Sequence, residues 1–457
     1  MKKRHLAKKT VAAALAALMA VGSLTACSSG GGETEAAADS GDDAAEDAGA
    51  ADDGSEAAEG GSEAANSGSG EPVTINFRYW ADNTEYSQLM QDIVEKFNAE
   101  NGKGITVVAE EAPWNGGAYS EDLFNVMMGG AEIDCATWKL TSTPLFVNND
   151  LLADLTPFVD AWEDKDDIDE NIYNIMKGAG GSEDAMYVMP WNIQVLYVYY
   201  RPSYFEKAGI EVPTTYEEFL EAIQKCTFDD DGDGTPEVYG FGMRGGSGGQ
   251  EPWGSFIYGR GGSFEDMTSA ESVAGMQDFI DLYTNGYVPP TATSDGFNEI
   301  IANFKSGLTA MTVHHTGSSA DMEATFGDDV SAFAFPAGEG QWTSMGDTET
   351  VIFESCENKE AAFEWISYLA TGEGQKMWCE GTGNVPVSKS LQETDFFQNN
   401  RFMKASIEGQ SYAGILPILD TTTEWVSTIW PNTVGMALTG QITAEECMQT
   451  LQDGLYQ

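Results

Sequence analysis

Histidine and basic side chains are scarce in this sequence of 457 residues. The chain has three histidines, and its 22 Lys and Arg stand against 74 Asp and Glu. With His5 near the start, only His314 and His315 remain, which is too few for a multi-histidine metal centre. The formal net charge of −52 repels phosphate backbones and anionic lipid, so we expect no nucleic-acid partner.

Long apolar runs are missing too, except for one near the start. Residues 1–9 include five Lys and Arg, residues 11–21 are apolar, and small residues follow. This layout is typical of a secretory signal peptide and is too short to span a bilayer. Leu-Thr-Ala-Cys at 24–27 resembles the bacterial lipoprotein signal, in which the cysteine is lipidated. We therefore predict a signal peptide at 1–26 and lipidation of Cys27; an ordinary signal with a chance cysteine is the alternative.

Residues 28–71 contain no aromatic and no β-branched aliphatic side chain. They hold 13 Asp and Glu and no basic residue, in a background of Gly, Ala and Ser. Such a segment cannot bury enough apolar surface to offset its chain entropy, and its charges repel one another. We predict an acidic, disordered tether over 27–71. With the lipid, it would hold a folded body at the outer surface of the cytoplasmic membrane.

The cysteines beyond Cys27 form no recognisable framework. They are five in number, which cannot pair completely, and no Cys-x-x-Cys occurs. We expect most of them to be small buried residues rather than disulfide partners. They are Cys135, Cys226, Cys356, Cys379 and Cys447.

The body, residues 72–457, alternates between the periods of strands and helices. Strands are predicted at 73–79, 105–109, 132–137, 195–200 and 308–314, and helices at 120–128, 270–284, 297–306 and 359–370. Another helix, capped by Asn83 or Thr84, carries an apolar stripe to Phe97 and stops at 101–102. This order predicts an α/β fold with a parallel sheet. Because the body is too long for one core, we predict two α/β lobes.

Tryptophans follow three of the predicted strands. Trp80 closes the first, Trp114 follows the second and Trp138 follows the third. In parallel sheets, ligands bind beyond the carboxyl ends of the strands, so these indoles would meet at one edge. Flat rings beside Asp, Asn and Glu suit sugars, because a ring stacks on the C–H face while amides and carboxylates bond the hydroxyls. The alternative is a place in the core, which we expect for Trp162 and Trp365.

Several short motifs follow one another in an order typical of one family. They are Met-Pro-Trp-Asn at 189–192, Tyr-Tyr-Arg at 199–201, Phe-Glu-Lys-Ala-Gly-Ile at 205–210, Pro-Thr-Thr-Tyr-Glu-Glu at 213–218, Phe-Lys-Ser-Gly at 304–307, Ala-Met-Thr at 310–312, Glu-Ala-Ala-Phe-Glu-Trp-Ile at 360–366, Gly-Thr-Gly-Asn-Val-Pro-Val at 381–387 and Leu-Thr-Gly-Gln at 438–441. By their order and spacing, residues 72–457 resemble the extracellular solute-binding proteins (family 1) of bacterial carbohydrate ABC transporters, the maltose-binding-protein-like group.

The resemblance implies a type II periplasmic-binding-protein-like fold, in which two lobes close on a ligand held between them. It places one lobe in 72–190 plus 315–371 and the other in 191–314 plus 372–457, with chain crossings near 189–194 and 312–317. It implies a monomeric receptor that hands a carbohydrate to an ABC permease. It implies no enzymatic activity and no cofactor for activity.

The resemblance also nominates ligand-binding positions. Gln194 stands where maltose binders have Glu, and Gly317 stands where they place an aromatic residue, so the identity of the sugar stays open. Glu251-Pro-Trp253 resembles a Glu-Pro-aromatic element of the second lobe. The candidate ligand-binding residues are Trp80, Asp82, Trp114, Trp138, Trp191, Asn192, Gln194, Glu251, Trp253, His314 and Trp425.

An acidic loop at 229–237 reads Asp-Asp-Asp-Gly-Asp-Gly-Thr-Pro-Glu and spaces its oxygens as an EF-hand-like calcium loop does. Gly234 falls at the sharp turn, but Gly240 stands where a bidentate Glu would be. Clustered carboxylates repel one another without a cation. We predict a structural calcium site, with a solvated turn as the alternative. The candidate ligands are Asp229, Asp231, Asp233, Thr235 and Glu237.

Other functions stay open. Residues 245–249 match the Gly-x-Ser-x-Gly pattern of serine hydrolases, with Ser247 as nucleophile and His314 or His315 as base. That pattern requires a strand running directly into a helix, and the residues after 249 are poor helix formers. A glycoside hydrolase would need two paired carboxylates, which no spacing singles out. The acidity also fits a receptor for a cation such as a polyamine.

Overall fold

The computed structural model describes residues 72–81, 83–114, 118–180, 185–246, 248–419 and 421–457. The predicted signal peptide, Cys27 and the tether lie outside these residues, as do Asp82 and Ser247. Within the described ranges, no helix is both long enough and apolar enough to cross a membrane. The five cysteines there are buried and unpaired, as the sequence predicts.

The first sheet has six strands, numbered here along the chain. They are β1 (Val73–Tyr79), β2 (Ile105–Glu111), β3 (Cys135–Trp138), β4 (Met189–Val195), β9 (Thr343–Ile352) and β10 (Ala413–Gly414). Strands β2, β1 and β3 run parallel, as predicted, with Val73 opposite Ile105 and Phe77 opposite Cys135. The long β9 is antiparallel to both β3 and β4, which makes the sheet mixed.

The second sheet has four strands in the order β6-β7-β5-β8. They are β5 (Tyr197–Tyr200), β6 (Tyr239–Gly242), β7 (Thr309–His314) and β8 (Ser331–Phe333). Because β6 and β7 are parallel, their carboxyl ends lie at the same edge. The single strand predicted at 195–200 is two strands in two sheets, since β4 pairs with β9 and β5 pairs with β7 and β8.

The chain passes from the first sheet to the second at Leu196, close to the crossing predicted near 189–194. It returns through residues 334–342, which connect β8 to β9. This return lies later than the crossing predicted near 312–317. The reason is that β8 still pairs with β5 in the second sheet after β7 has ended.

Two large hydrophobic cores accompany the two sheets, and a small cluster lies where three helices, at 297–305, 319–326 and 401–410, meet β5 and β8. Helices with residues in the first core are α1 (Thr84–Glu100), α2 (Ala118–Met128), α3 (Thr143–Val147), α4 (Thr156–Ala161), α5 (Glu170–Gly178), α12 (Lys359–Ala370), α13 (Glu373–Thr382), α14 (Lys389–Gln392) and α15 (Asp395–Gln398). Helices with residues in the second core are α6 (Pro202–Ala208), α7 (Tyr216–Lys225), α8 (Gln250–Gly259), α9 (Ala270–Thr284), α18 (Trp430–Leu438) and α19 (Ala444–Leu455). The remaining helices are α10 (Phe297–Lys305), α11 (Ser319–Phe326), α16 (Arg401–Gln410), whose Met403 belongs to the first core, and the short α17 (Thr422–Glu424).

The core membership of two segments differs from the predicted lobe ranges. Trp378, Cys379, Val387, Phe397 and Met403 pack in the first core, although the prediction places 372–457 in the second lobe. Phe333, Phe335 and Trp342 pack in the second core, although 315–371 was assigned to the first. Helices α13, α14 and α15 return to the first core after α12, a return that the local sequence pattern does not show.

The start of α1 is fixed directly beyond β1. Asn83 accepts a 2.9 Å hydrogen bond from the backbone N–H of Tyr86, which satisfies one of the N–H groups at the start of the helix. The stripe of Met90, Ile93 and Phe97 is buried against the sheet. This cap therefore places the first turn of α1, with Tyr86, beside the carboxyl end of β1.

Candidate functional site

A cavity of about 220 Å³ lies at the carboxyl edge of the first sheet. Trp80 follows β1, Trp114 follows β2 and Lys139 follows β3, so the parallel strands deliver these side chains to one edge. Residues from α1, β4, β9 and α13 complete the walls. The lining residues are Trp80, Ala81, Tyr86, Trp114, Lys139, Trp191, Asn192, Gln194, Gly346, Thr348 and Trp378.

Two indoles and a lysine form one group in the wall. The ring centroids of Trp80 and Trp114 are 5.0 Å apart, with their planes at 39°. The Nζ atom of Lys139 lies 5.8 Å from the Trp80 centroid and 5.6 Å from the Trp114 centroid. A cation at this distance is attracted by the negative face of an indole. The ammonium group is therefore held beside both rings at the cavity.

A second aromatic group comes from other elements. Trp191 of β4 and Trp378 of α13 have ring centroids 4.6 Å apart at 44°. The ring of Tyr86 lies 5.7 Å from that of Trp378. The cavity therefore has aromatic side chains from strands β1, β2 and β4 and from two helices, which is the composition expected of a surface that stacks on sugar rings.

Amide groups supply the polar part of the wall. Gln194 donates a 2.9 Å hydrogen bond from Nε2 to Asn384 Oδ1, which fixes the orientation of its amide. Asn192 Oδ1 and the indole N–H groups of Trp191 and Trp378 are buried without a hydrogen-bond partner among the described residues. Because an unpartnered buried polar group costs about 1–3 kcal/mol, a ligand hydroxyl that reached these atoms after a small rotation would be stabilising.

A second group of polar and aromatic residues lies at the carboxyl edge of the second sheet. Arg244 follows β6, Glu251 is in the first turn of α8 and His314 ends β7. Arg244 donates a 2.7 Å hydrogen bond from Nη1 to Glu251 Oε2, and its Cζ lies 5.5 Å from the ring centroid of Phe297. Phe297 is the first residue of α10 and is 38% exposed, so its ring offers a free apolar face.

His314 is enclosed at this edge. Its Nδ1 lies 2.7 Å from Ser318 Oγ, and its ring centroid lies 4.0 Å from that of Phe297. Burial is the main reason that the pKa of His314 falls from 6.5 to about 2, and electrostatic interaction with His315 and with the Arg244 guanidinium acts in the same direction. Burial lowers the pKa of His315 to about 4. Both imidazoles are therefore neutral at pH 7.

The glycine-rich loop before α8 makes room for Arg244. Gly248 has a φ of +78°, and a Cβ at that position would lie 1.6 Å from Arg244 Nη2. A Cβ on Gly249 would lie 2.0 Å from the Arg244 carbonyl oxygen. The helix α8 begins at Gln250, where the sequence indicated poor helix formers; Pro252 is tolerated because it lies in the first turn, where its missing N–H has no partner to lose.

Three of the nominated tryptophans are packed inside the cores. Trp138 donates a 2.9 Å hydrogen bond from Nε1 to Thr143 Oγ1 and packs on Phe146. Trp253 and Trp425 are both fully buried in the second core, 6.4 Å apart between ring centroids. In this conformation none of the three presents a face to a ligand, whereas Trp80, Trp114, Trp191, Asn192 and Gln194 do line the cavity.

Several residues of both edges were not nominated from the sequence. No sequence motif marks Lys139 or Trp378 as a site residue. For Lys139 the structural reason is clear: all four residues of β3 are buried, so the first side chain that reaches the cavity at this strand is the one directly after Trp138. Tyr86 could have been found from the Asn83 cap. No motif in the sequence marks Arg244, which lies two residues after the end of β6.

The acidic loop at 229–237 brings three of its five predicted ligands together. Carboxylate oxygens of Asp229, Asp231 and Glu237 all lie within 4.8 Å of one another, and the three side chains are exposed. Asp233 is not part of this group, and its Oδ1 accepts a 2.7 Å hydrogen bond from the backbone N–H of Thr235. Such an arrangement of hard oxygen atoms suits a calcium ion.

A family model described as bacterial extracellular solute-binding protein matches residues 92–405 of this chain. A binding protein of Brucella abortus (strain 2308) is 24% identical to it over 357 residues, which cover 74% of this chain and 84% of that protein.

Solved structures show the same fold. The sugar-binding protein MalE from Xanthomonas citri superimposes with a TM-score of 0.72 at 17% identity, covering 84% of this chain and 96% of that one. The GacH receptor of Streptomyces glaucescens GLA.O, solved unliganded and with acarbose, gives a TM-score of 0.65 at 22% identity, covering 84% and 97%. The fold is therefore the two-lobed, periplasmic-binding-protein-like α/β fold.

Proposed function

The chain belongs to the family of bacterial extracellular solute-binding proteins, and on that premise we propose that it is a saccharide receptor that delivers its ligand to an ABC import permease. The observation that carries the proposal is the cavity at the first sheet edge, where four tryptophans and two amides line one space. Structural neighbours described as a sugar-binding protein and as an acarbose-bound receptor support the same class of ligand.

Binding would take place without chemical change of the ligand. Indole faces stack on the C–H faces of the sugar, while the amides of Asn192 and Gln194 bond its hydroxyls. Residues at the second edge, such as Phe297, would contact the same ligand from the other lobe. A ligand that touches both lobes stabilises a closed form by the contacts that the open form lacks. That closed form would be the one presented to the permease.

The hydrolase alternative receives less support from the geometry. Ser318 Oγ lies 2.7 Å from His314 Nδ1, on the same short segment, so this ring nitrogen is already occupied by a local hydrogen bond. A base must also accept a proton, and a pKa of about 2 makes His314 a weak one. Among the described residues, the lining of the cavity includes Lys139 and no carboxylate, which does not favour a cationic ligand.

We also propose that lipidation of Cys27 anchors the receptor at the outer face of the cytoplasmic membrane. The support is the lipoprotein-like sequence at 24–27 and the extracellular character of the family. Replacing Cys27 by Ala should move the protein from the membrane fraction to the soluble secreted fraction. Retention of the variant in the membrane fraction would contradict lipid anchoring without touching the proposed ligand.

A structural calcium ion at Asp229, Asp231 and Glu237 is a further part of the proposal. The ion would offset the repulsion between three carboxylates that the loop holds together. It would lie far along the chain from the cavity residues and supply no chemistry to the ligand.

The test is thermal unfolding of the full-length protein against a panel of mono- and oligosaccharides and polyamines. A ligand at 100 times its Kd adds about 2.7 kcal/mol to the free energy of unfolding, which gives a clear rise in Tm. We expect one class of saccharide to raise Tm and to be recovered unchanged after hours of incubation. Product formation would support the hydrolase, and a shift with polyamines alone would overturn the saccharide receptor.

A further inference from the structure

We propose that a groove in the first lobe binds a segment of a partner protein in which an apolar side chain lies between Lys or Arg residues. The groove has a volume of about 860 Å³ and lies between α1, α4 and α12. It is separate from the saccharide cavity, so the inference does not depend on the proposed saccharide receptor.

The groove and the saccharide cavity lie at opposite edges of the first sheet. Asn101 and Lys103 line the groove just before β2, whereas Trp80 and Trp114 line the cavity beyond β1 and β2. Strands of seven residues separate the two edges by about 20 Å, since each residue of a strand rises about 3.3 Å. A partner in the groove would therefore leave the cavity open to its ligand.

Aromatic side chains form the floor of the groove. Phe158 and Phe363 are stacked with ring centroids 5.6 Å apart, and Trp162 meets Phe363 edge-on at 6.0 Å. The ring of Phe97 lies 5.1 Å from that of Tyr368. Phe158, Trp162 and Tyr368 are only half-buried, so part of each ring stays accessible. Covering these rings with an apolar side chain would be the main source of affinity.

The hydroxyl of Tyr368 is buried without a hydrogen-bond partner among the described residues. Burial, together with the charges of Glu373 and Glu100, raises the pKa of Tyr368 to about 12, so the hydroxyl keeps its proton at pH 7. A peptide backbone supplies carbonyl oxygens that accept such a proton in a hydrogen bond. The hydroxyl is therefore a second feature that favours a peptide as the occupant.

Three carboxylates on the rim have no basic partner in the part of the chain that the structure describes, and all three are exposed: Glu163, Asp164 and Glu360. The other two acids of the lining are already paired, Glu364 with Lys103 and Glu100 with Lys96. Lys103 is the one basic residue among the described residues that line the groove. Lys or Arg side chains of a partner would offset the three unpaired negative charges.

Charge also disfavours the alternative occupants. Removing the 13 acids of 28–71 and the five bases of 1–27 leaves 61 acids and 17 bases in 72–457, so a second copy would bring mostly negative charge. The segment 28–71 carries acids and no base, so it is repelled as well. A neutral saccharide would stack on the rings but leave the three carboxylates unpaired. A basic, apolar segment matches both the floor and the rim.

The experiment selects random peptides of about 12 residues, displayed on phage, against the full-length protein. Enriched peptides are synthesised and titrated by calorimetry. We expect an aromatic or branched aliphatic residue flanked by Lys or Arg. Replacing these bases by Gln in the same peptide should weaken binding about tenfold at low salt. Most of that difference should disappear in about 1 M NaCl, where the Debye length is about 3 Å.

A variant of the floor locates the peptide in the groove. Trp162→Ala removes an apolar contact and should weaken peptide binding about tenfold or more. Trp114→Ala is the matched control, because it truncates another half-buried tryptophan, which lines the saccharide cavity instead. The control should keep the affinity for the peptide. Near-ultraviolet circular dichroism and Tm confirm that each variant is folded.

A variant of the rim tests the charges without touching the packing of the floor. One combined variant neutralises the three unpaired carboxylates and should lose about tenfold in affinity at low salt: Glu163→Gln, Asp164→Asn and Glu360→Gln. The control makes the same change in net charge at three exposed acids outside the groove, which also lack a basic partner among the described residues: Glu206→Gln, Glu271→Gln and Glu445→Gln. It should bind the peptide as the wild type does.

Basic, apolar peptides that lose affinity in both groove variants and keep it in both controls support the inference. It is overturned by enriched peptides that lack bases, by equal binding to the groove variants and the wild type, or by a library that yields no binder. Sedimentation velocity tests for a second copy: a wild-type dimer that Trp162→Ala dissociates would also overturn the partner. None of these outcomes bears on the saccharide receptor, whose ligand is absent from the experiment.

Discussion

Arg244 donates a 2.7 Å hydrogen bond from Nη1 to Glu251 Oε2, across the glycine-rich loop that joins β6 to α8. Gly248 lies so close to the guanidinium that a Cβ there would fall 1.6 Å from Nη2. The position of Arg244 beside Glu251 therefore depends on the lack of a side chain at Gly248 as well as on the hydrogen bond between the two residues. The loop at 245–249 matches a hydrolase nucleophile motif in sequence, but in the structure its Gly248 and Gly249 pack against Arg244.

Gly248→Ala should destabilise the protein and weaken ligand binding together. The substitution puts a Cβ on a residue with φ of +78° and drives it into the Arg244 guanidinium. Gly440→Ala is the matched control, because Gly440 has a φ of +71° and nothing within 4 Å of its Cβ position. The control should lose about 1–2 kcal/mol of unfolding free energy and no affinity. Chemical denaturation and calorimetry would measure both; equal affinity of the two variants would contradict a role for Arg244 in binding.

Tryptophans of the cavity and of the core should respond differently to truncation. Trp114→Ala removes a half-buried ring from the cavity wall, so affinity for the ligand should fall by about tenfold or more with a modest loss of stability. Trp425→Ala empties a fully buried position and should cost about 3–5 kcal/mol of unfolding free energy. The two effects separate in denaturation and binding curves. A large loss of affinity in Trp425→Ala at full folding would show that this residue reaches the ligand.

The strand–helix alternation up to Trp138 was predictable because each element is local and its apolar period is regular. The prediction of a single strand at 195–200 was wrong for a physical reason. Val195 and Tyr197 are both completely buried, so the apolar run shows no gap where the chain changes sheets at Leu196. The return through 334–342 and the packing of Trp378 depend on contacts between distant segments, for which one sequence carries no local signal.

Site residues were predictable where they simply follow the end of a strand. They were not predictable where the direction of a side chain decides whether it faces the cavity or the core. Trp80 and Trp114 follow their strands and line the cavity, but at β3 the ring of Trp138 turns into the core and Lys139 takes the edge position. The prediction chose Trp138 as the cavity residue because tryptophan is a typical sugar-binding side chain. Burial of β3 on both faces instead places Lys139, the next residue, in the cavity wall. One position in register separates a core residue from a site residue.

Calcium should raise the Tm of the full-length protein, and a chelator should lower it. The reason is that the ion binds Asp229, Asp231 and Glu237 only in the folded loop and so stabilises the folded state. Asp231→Asn should weaken the shift, and Asp266→Asn, an exposed acid outside the loop, should leave it unchanged. Magnesium serves as the comparison cation, since it prefers a smaller, octahedral set of oxygens. The same Tm with calcium, magnesium and chelator would show that the loop is a solvated turn.

Stability should decline from pH 7 to pH 5 in a way that depends on His314. Its pKa is lowered from 6.5 to about 2 in the folded state, chiefly by burial, so the unfolded chain binds a proton in this range and the folded protein does not. The stabilisation from neutral His314 is therefore fully present above pH 6.5 and is lost as pH falls toward 2. The slope is about 1.4 kcal/mol per pH unit, which gives a loss of about 2 kcal/mol by pH 5.

His314→Asn removes this contribution, so its free energy of unfolding should fall by about 2 kcal/mol less than that of the wild type between pH 7 and pH 5. The difference between the two proteins cancels the titration of the many carboxylates, which they share. Ser318→Ala is the control, because it removes the hydroxyl 2.7 Å from Nδ1 and leaves the imidazole buried. The control should keep the steep wild-type dependence on pH. Parallel curves for wild type and His314→Asn would mean that the imidazole is open to solvent, and that the second sheet edge is less enclosed than its packing against Phe297 indicates.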